Sequence, residues 1–577
     1  MLTYAQRRSH DLAHYRDPLR LVAGRVRPPS VAIHNPEIVR RHMASVLLAA
    51  FLRWCVDEHG RFRERNELRV GPFFAPGDGL PSGPELLADY LRRPPEALRA
   101  ALGRIVPAAL HAELGLDDWR WLDKLTNAEG DGDFDVTAAL INEDIDLFHD
   151  LAVAALGEQS KAGAGRARYY FGVEETVRGR DLINELGRRG VLPKYGFPVD
   201  VVALHTDHLP NVDEARQVEL ERDLRVALSE FAPGSEIVAA KRIWRGGGLH
   251  KRPQRELESV PFALCRHCGR FNRGQGEAAL TTCLGCGRPL ESNSGEKGKF
   301  LKPEFGFLAE RLANPPQPGE TRPPRSYTSR VYFDTRREPA HVRPDDASHW
   351  PSYRPVPELS GPLVQFQMRY SRYGELVVIN HGPGKRGFQV CMSCGYARPN
   401  LAPGGKGKGK GAAEHSHPRT GRPCHGKLYL YQLGHDFTTD VLELVATGPL
   451  AHADAPEPDK SLWWSVLYAL LEGAGAALHI RRADLNGTLY SETGTADAPA
   501  LVLYDDVPGG AGHVRRIAEA WPAVFAAALA RVEGCRCGPE TACHECLWNY
   551  YNQPLHPRLA RGLAADFLRE ALGQAGT

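Results

Sequence analysis

Eleven of the twelve cysteines in this chain fall into three tight clusters. Cys265-Arg-His-Cys268 is followed, after fourteen residues, by Cys283-Leu-Gly-Cys286. Cys391-Met-Ser-Cys394 precedes a His-rich loop and Cys424, and Cys535-Arg-Cys537 precedes Cys543-His-Glu-Cys546. Zinc takes four thiolate or imidazole ligands in a tetrahedron, and a Cys-x2-Cys turn supplies two of them. Two such turns make a closed site, which serves structure rather than catalysis. The first and third clusters are complete sets of four. The second has three cysteines, and its fourth ligand comes from His415, His417 or His425. His425 adjoins Cys424, which strains a shared tetrahedron. His417 lies seven residues before Cys424, with room for a turn, and is taken as the ligand. Three zinc ions are expected.

A disulfide scaffold is the alternative, but such scaffolds are short and have cysteines throughout. Here Cys55 is the only cysteine before residue 265. The Met1 to Asp17 segment is polar and Arg-rich, without an apolar signal region. No run approaches the roughly 18 apolar residues of a membrane span. A cytoplasmic protein with no membrane partner is expected.

A chain of 577 residues should hold roughly three to four domains. The formal net charge of +2 argues neither for nor against nucleic acid, so local patches decide. Arg7, Arg8, Arg16, Arg20, Arg25, Arg27, Arg40 and Arg41 crowd the first 42 residues. Lys241-Arg242, Arg245 and Lys251-Arg252 form a second patch, and Lys406, Lys408 and Lys410 alternate with glycine. Such patches can neutralise phosphates. Arg20, Arg25, Arg27, Lys241 and Arg242 are the candidate nucleic-acid contacts. Tyr551 joins them because an aromatic beside a zinc fold can stack an unpaired base. Trp548 is expected to pack over the metal site.

The fold expected is α+β and multidomain. A helical Arg-rich N-terminal region (1–70) leads to a helical region (71–160). A middle α/β segment (161–260), a zinc ribbon (261–292) and a Pro-rich stretch with strands (293–360) follow. A mixed α/β zinc-binding domain (361–577) ends the chain. Asn35-Pro36 predicts a helix start with Asn35 as N-cap. Cys55 then falls on its apolar face. Strands are predicted at Val201–Leu204, Glu236–Ala240, Leu376–Ile379, Lys427–Leu433 and Leu501–Tyr504. Leu462–Ile480 is apolar all round and predicts a buried helix.

Asp505, Asp506, Gly509 and Gly510 follow a buried strand and precede a helix. Open α/β sheets bind ligands at such positions, so these residues are a candidate ligand loop. With Glu472 and Asp484 they also allow an alternative, a metal-dependent nuclease centred on Asp505. A plain strand–helix turn with a capping Asp is the simpler reading. No Gly-x4-Gly-Lys-Ser/Thr loop occurs, so the chain is not expected to hydrolyse ATP by itself.

Four motifs occur in a particular order. They are Asn380-His-Gly-Pro-Gly-Lys-Arg-Gly-Phe388 running into Cys391-Met-Ser-Cys394, then Leu433-Gly-His-Asp-Phe-Thr-Thr-Asp440. Tyr504-Asp-Asp-Val-Pro-Gly-Gly-Ala-Gly-His513 and the last cysteine cluster with Leu547-Trp-Asn-Tyr-Tyr-Asn-Gln553 complete it. This order resembles the zinc-binding C-terminal domain of MrfA-type superfamily 2 DNA helicases, a family that includes the motor-less DISARM subunit DrmB. The resemblance covers about residues 361–573. A weaker one covers Tyr15 to Gly24, Pro28-Pro29, Asn35-Pro36 and Arg40-Arg41-His42, which look like the segment leaving the second motor lobe, and Gly190 to Pro198 with Ala232 to Ser235, which look like the post-motor region. It implies a non-catalytic, DNA-binding accessory subunit or module of a helicase, in phage defence or DNA repair. DNA and a helicase motor would be its partners. A separate motor chain and a shortened reading frame both fit.

Overall fold

The computed structural model describes residues 12, 15–16, 18–19, 35–77, 79–92, 94–193, 200–209, 214–265, 267–274, 280–290, 295–312, 315–317, 329–336, 353–359, 363–401, 415–449, 460–490, 498–549 and 552–573. Its architecture is mixed helix and sheet, with helices at the N-terminal side, two cysteine clusters on the sheets that follow and a third among the C-terminal helices.

The first helix is Pro36–His59. The Asn35 side chain accepts from the Glu37 and Ile38 N–H groups, and Gly60 ends the helix at φ 64°. Cys55 is fully buried in a core built on Phe51, Phe73, Trp121 and Phe134. Of two longer helices of this layer, Asp133–Gly157 lies in the stretch expected to be helical, and Lys161–Arg178 opens the one expected to be α/β. The second carries Gly163, Gly165 and Gly172, which oppose helix by propensity. Tertiary contact requires two of them. A Cβ would lie 2.4 Å from the Ala155 carbonyl at Gly163 and 2.8 Å from the Glu256 side chain at Gly172.

A five-stranded sheet follows, in the order Glu221–Asp223, Val201–His205, Phe307–Ala309, Arg242–Leu249, Glu236–Ala239. The predicted strands at 201 and 236 both belong to it. The helix Leu224–Glu230 packs over it and is capped by Asp223, whose carboxylate accepts from the Arg225 N–H.

The larger sheet rests on two long antiparallel strands, Gln365–Asn380 and Leu428–Thr447. They pair from Gln365↔Thr447 to Asn380↔Leu433. Hydropathy revealed only Leu376–Ile379 and Lys427–Leu433. The rest carries Glu375, Asp436, Thr439, Asp440 and Glu443, all buried, so alternation of polar and apolar residues does not mark it. The register shifts between Ser371 and Gly374, and a Cβ at Gly374 would meet the Val441 side chain at 2.2 Å. Ser259–Cys265, Phe271–Arg273 and Gly295–Leu301 extend the sheet through Leu433↔Leu301. Ser329–Arg336 pairs with the other long strand. The expected boundaries at residues 292 and 360 therefore fall inside one sheet.

The buried helix is Ser461–Ala477, as its composition predicted. It packs against Trp521–Glu533 and Arg561–Ala571 in one core with Trp463, Phe366, Phe525 and Phe567. Gly473 permits the approach, since a Cβ there would meet the Val524 carbonyl at 2.5 Å. Among the described residues, no helix is long and apolar enough to cross a membrane.

Candidate metal centres and the loop that joins them to the first helix

Three tetrads converge: Cys265, Cys268, Cys283 and Cys286; Cys391, Cys394, His415 and Cys424; Cys535, Cys537, Cys543 and Cys546. In each, all four ligand atoms lie within 4.8 Å of one another. Zn–S bonds of about 2.3 Å set tetrahedron edges of about 3.8 Å. The measured Sγ···Sγ separations include 3.6 Å for Cys265–Cys286 and for Cys268–Cys283. Cys391–Cys424 is 3.9 Å, and the third tetrad spans 3.4 to 4.0 Å. Disulfides need about 2.0 Å, and all twelve cysteines are free. The donor set and spacing fit zinc.

The first two sites share a turn. Gly269, Gly287 and Gly395 each follow the second cysteine of a Cys-x2-Cys pair at φ 76°, 67° and 80°. Their N–H groups donate to the carbonyls of Cys265, Cys283 and Cys391. This left-handed position favours glycine and aims both thiols at one point. Burial pushes the Cys283 and Cys391 thiols up, but N–H groups two and three residues along outweigh it and bring each down to about 7. The N–H groups thus favour the thiolate at Cys283 and Cys391, while burial pushes the second thiol of each knuckle, Cys268, Cys286 and Cys394, up. Asn272, which the sequence did not single out, is fully buried beside the first site. Its amide lies 3.7 Å from the Cys283 sulfur, and its carbonyl accepts from the Leu284 N–H.

The second site corrects one ligand. His415, not His417, completes it. His415 and Cys424 face each other across the short ladder His415–Ser416/Pro423–Cys424, and His415 Nε2 lies 3.4 Å from the Cys394 sulfur. Tyr396 stacks on the His415 ring at 4.9 Å. His417 belongs to the hairpin turn instead, where its Nδ1 accepts from the Arg419 and Thr420 N–H groups. We expect His415→Ala to lower the zinc content from three equivalents to two and His417→Ala to leave three, read by elemental analysis. The opposite pattern would restore His417 as the ligand. One equivalent or fewer, with titratable disulfides, would sink the zinc assignment.

The third site closes under the C-terminal helices, where Cys535, Cys546 and Leu547 are part of the helical core. Trp548 stacks on His556 at 4.4 Å with planes 4° apart, so it packs beside the metal site as expected. Tyr551, Arg20, Arg25 and Arg27 lie outside the described residues. Lys241 is exposed at the hairpin tip, while Arg242 pairs with Glu214 at 3.2 Å. Arg245 pairs with Glu236 and Glu310, and Lys251 with Glu256.

The loop after Ala500–Asp505 is a clamp rather than an open ligand loop. Asp505 is fully buried and accepts from the Ala511, His513 and Val514 N–H groups at 2.6, 3.0 and 2.9 Å. Asp506 pairs with Arg225 at 2.5 Å. Arg41 donates to the Gly509 and Gly510 carbonyls, and the Asn35 amide to the Ala511 carbonyl. Thr439 Oγ1 donates to the Asp505 and Val507 carbonyls, and Asp440 accepts from the Gly512 N–H. Glu37 is ion-paired to Arg40, Arg372 and Arg515. Gly509 packs against Gly190, a Cβ on it lying 2.3 Å from the Gly190 Cα. Of the other carboxylates in the nuclease alternative, Glu472 is held by Arg482 and Arg531. Among the described residues, only the three tetrads converge as metal-ligand groups.

The quoted motifs are points of attachment. Asp436 receives Lys302 at 2.6 Å and Arg273 at 3.5 Å. The Asn380 amide donates to the Leu228 carbonyl, and Tyr332 bonds His381 at 2.9 Å.

Closed cysteine-rich tetrads, two on sheets and one among helices, define a zinc-binding protein whose metals serve structure. Residues 466–547, from the buried helix through the last tetrad, match the MrfA Zn-binding domain family. The chain is 27% identical over 628 positions to the Druantia protein DruE of Escherichia coli strain UMEA 4076-1, an alignment covering 99% of this chain and 31% of DruE. The chain thus spans about a third of the length of that relative. Two crystal structures of the DUF1998 helicase MrfA are similar at 11% identity. One is bound to DNA, with a TM-score of 0.29 over 65% of this chain and 34% of MrfA. The other is bound to DNA and AMPPNP, with a TM-score of 0.20 over 67% and 40%.

Proposed function

We propose that this chain is a DNA-binding zinc module that serves a superfamily 2 helicase motor, in phage defence or DNA repair. The observation that carries the reading is the match of residues 466–547 to the MrfA Zn-binding domain, a span that holds both the Asp505 clamp and the last tetrad. The alignment of nearly the whole chain with under a third of DruE supports a module that works beside further protein. Closed zinc sites do no chemistry of their own. In this reading they hold basic and aromatic surface along a strand, and the motor supplies ATP hydrolysis.

The expected result is no phosphate release from ATP by the purified chain and DNA-stimulated release when a motor chain is added. Release that survives further purification of the chain alone would overturn the accessory role. Single-stranded DNA binding should weaken with salt by about 0.7 log units per phosphate contact. Alanine at Arg20, Arg25 and Arg27 should flatten that slope by about 2. An unchanged slope, with loss of co-purification with the motor, would place these arginines against the motor instead.

A further inference from the structure

A cavity of about 230 Å³ opens between the helical layer and the five-stranded sheet, lined by five arginines and four carboxylates. Its floor is electrically closed. Arg180 is bonded to Glu304 at 2.6 Å, and Arg188 lies 3.5 Å from Glu185 and 3.9 Å from Asp200. Its mouth is not. Arg252 and Arg255 sit at the ends of a tight turn, Arg252-Pro-Gln-Arg255, closed by the Arg255 N–H on the Arg252 carbonyl. Among the described residues, neither has a carboxylate within ion-pair reach. Arg252 lies over the Phe305 ring at 5.3 Å, and Arg255 donates to the Gly179 carbonyl at 3.1 Å. Arg69 lines the mouth beside them and is ion-paired with Asp181 at 3.7 Å, so Arg252 and Arg255 are the two cations there without a carboxylate.

Like charges gathered this closely need a reason. Burial, then the charges of Arg255 and Arg69, pull the Arg252 guanidinium below its ordinary value. The arrangement is nonetheless built. Arg255 packs against Gly179, where a Cβ would stand 1.9 Å from its guanidinium. The segment before the turn is fastened to the second zinc knuckle. The Leu249 N–H donates to the Gly395 carbonyl at 2.7 Å, and Lys251 donates to the Met392 carbonyl. Neighbouring Arg245, by contrast, is spent on Glu236 and Glu310. Forked guanidiniums with free N–H groups match the oxygens of a phosphate.

We infer that the mouth formed by Arg69, Arg252 and Arg255 is a phosphate-binding site, and that a phosphodiester of single-stranded nucleic acid is the group it takes. The choice of nucleic acid rests on the function proposed above. Recognition of the phosphate does not, since a free phosphate compound presents the same oxygens.

The test uses the full chain and oligothymidine. Arg252→Ala/Arg255→Ala should flatten the salt slope by about 1.4, two contacts at about 0.7 each. The double lysine variant should keep the slope, and Arg245→Ala should leave it unchanged. A double alanine variant with the wild-type slope, or an Arg245→Ala variant equally flattened, would overturn the site while DNA binding itself stands. If the wild type binds no DNA, thermal stabilisation by pyrophosphate decides. A rise in melting temperature that the double alanine variant loses supports a site for free phosphate compounds, and no rise in the wild type overturns the site. Wild-type far-UV circular dichroism in the variants excludes misfolding as the cause.

Discussion

Cys546→Ser is expected to abolish the cooperative unfolding transition of the C-terminal helical layer, an effect larger than that of any other single ligand substitution. Cys546 is fully buried in the same core as Trp463, Phe525, Val532 and Leu547. The segment that carries the ligands, residues 535–546, has no regular helix or strand to hold it without the ion. Binding of a structural zinc is worth about 10–16 kcal/mol in small zinc modules. A whole domain is stable by only about 5–15 kcal/mol. Loss of this ion therefore rivals the total stability of the layer. Cys424 is the contrast. It is only partly buried and lies on a two-residue ladder at the edge of the second site, so Cys424→Ser should release one zinc with a local change. Thermal melts followed by near-UV circular dichroism, with zinc measured on the same samples, check both. A Cys546→Ser protein with two zinc equivalents and a wild-type melt would refute the structural role of the third site.

The metal sites were legible because their chemistry is local. Cys-x2-Cys fixes two ligands within one turn, and the glycine that follows marks the left-handed residue. The fourth ligand of the second site was not legible, because strand register decides it. His415 faces Cys424 across a ladder, while two residues on His417 turns to bond its own hairpin. The buried helix and the strand before Asp505 could be read from continuous apolar runs. The two long strands could not, since their interior holds carboxylates matched to distant cations. Arg273, for instance, reaches Glu375 and Asp436 from another strand of the same sheet. The Asp505 loop was recognisable as a strand–loop–helix turn with a capping Asp, the simpler of the readings it allowed. Its role as a clamp was hidden, because Asn35 bonds it across 476 residues of chain and Asp440 across 72.

Arg41→Met should open that clamp, destabilising the protein by about 3–5 kcal/mol at alkaline pH, because it deletes two hydrogen bonds from a charged group to the Gly509 and Gly510 carbonyls, each worth about 1.5–3 kcal/mol. Asp505 and Asp440 are both fully buried at the loop, and Arg41 is the cation on the first helix that serves them. Burial raises the Asp505 carboxyl to about 6, against the pull of three N–H groups and Arg41. Burial, then the charge of Asp505, raises Asp440 to about 7, and Arg41 and Arg372 pull against it. Asp440 accepts one of the N–H bonds and Asp505 three, so Asp440 is the member that holds a proton near neutrality. Unfolded carboxyls release theirs near about 3.9. Between about pH 4 and pH 7 these two carboxyls thus bind more protons in the folded protein than in the unfolded chain, and their contribution to stability falls as pH rises through that window. Arg41→Met removes a cation from both carboxylates, so the fall should deepen and extend above neutrality. Asp440→Asn should do the reverse. It deletes the like charge and keeps an oxygen for the Gly512 N–H, so this fall is smaller than in the wild type and stability at about pH 8 rises. Denaturant midpoints measured between about pH 5 and pH 8 separate these outcomes. Parallel profiles for the wild type and both variants would show that the clamp does not depend on its charges, leaving the neutral bonds of Asn35 and Thr439 to hold the first helix on the sheet.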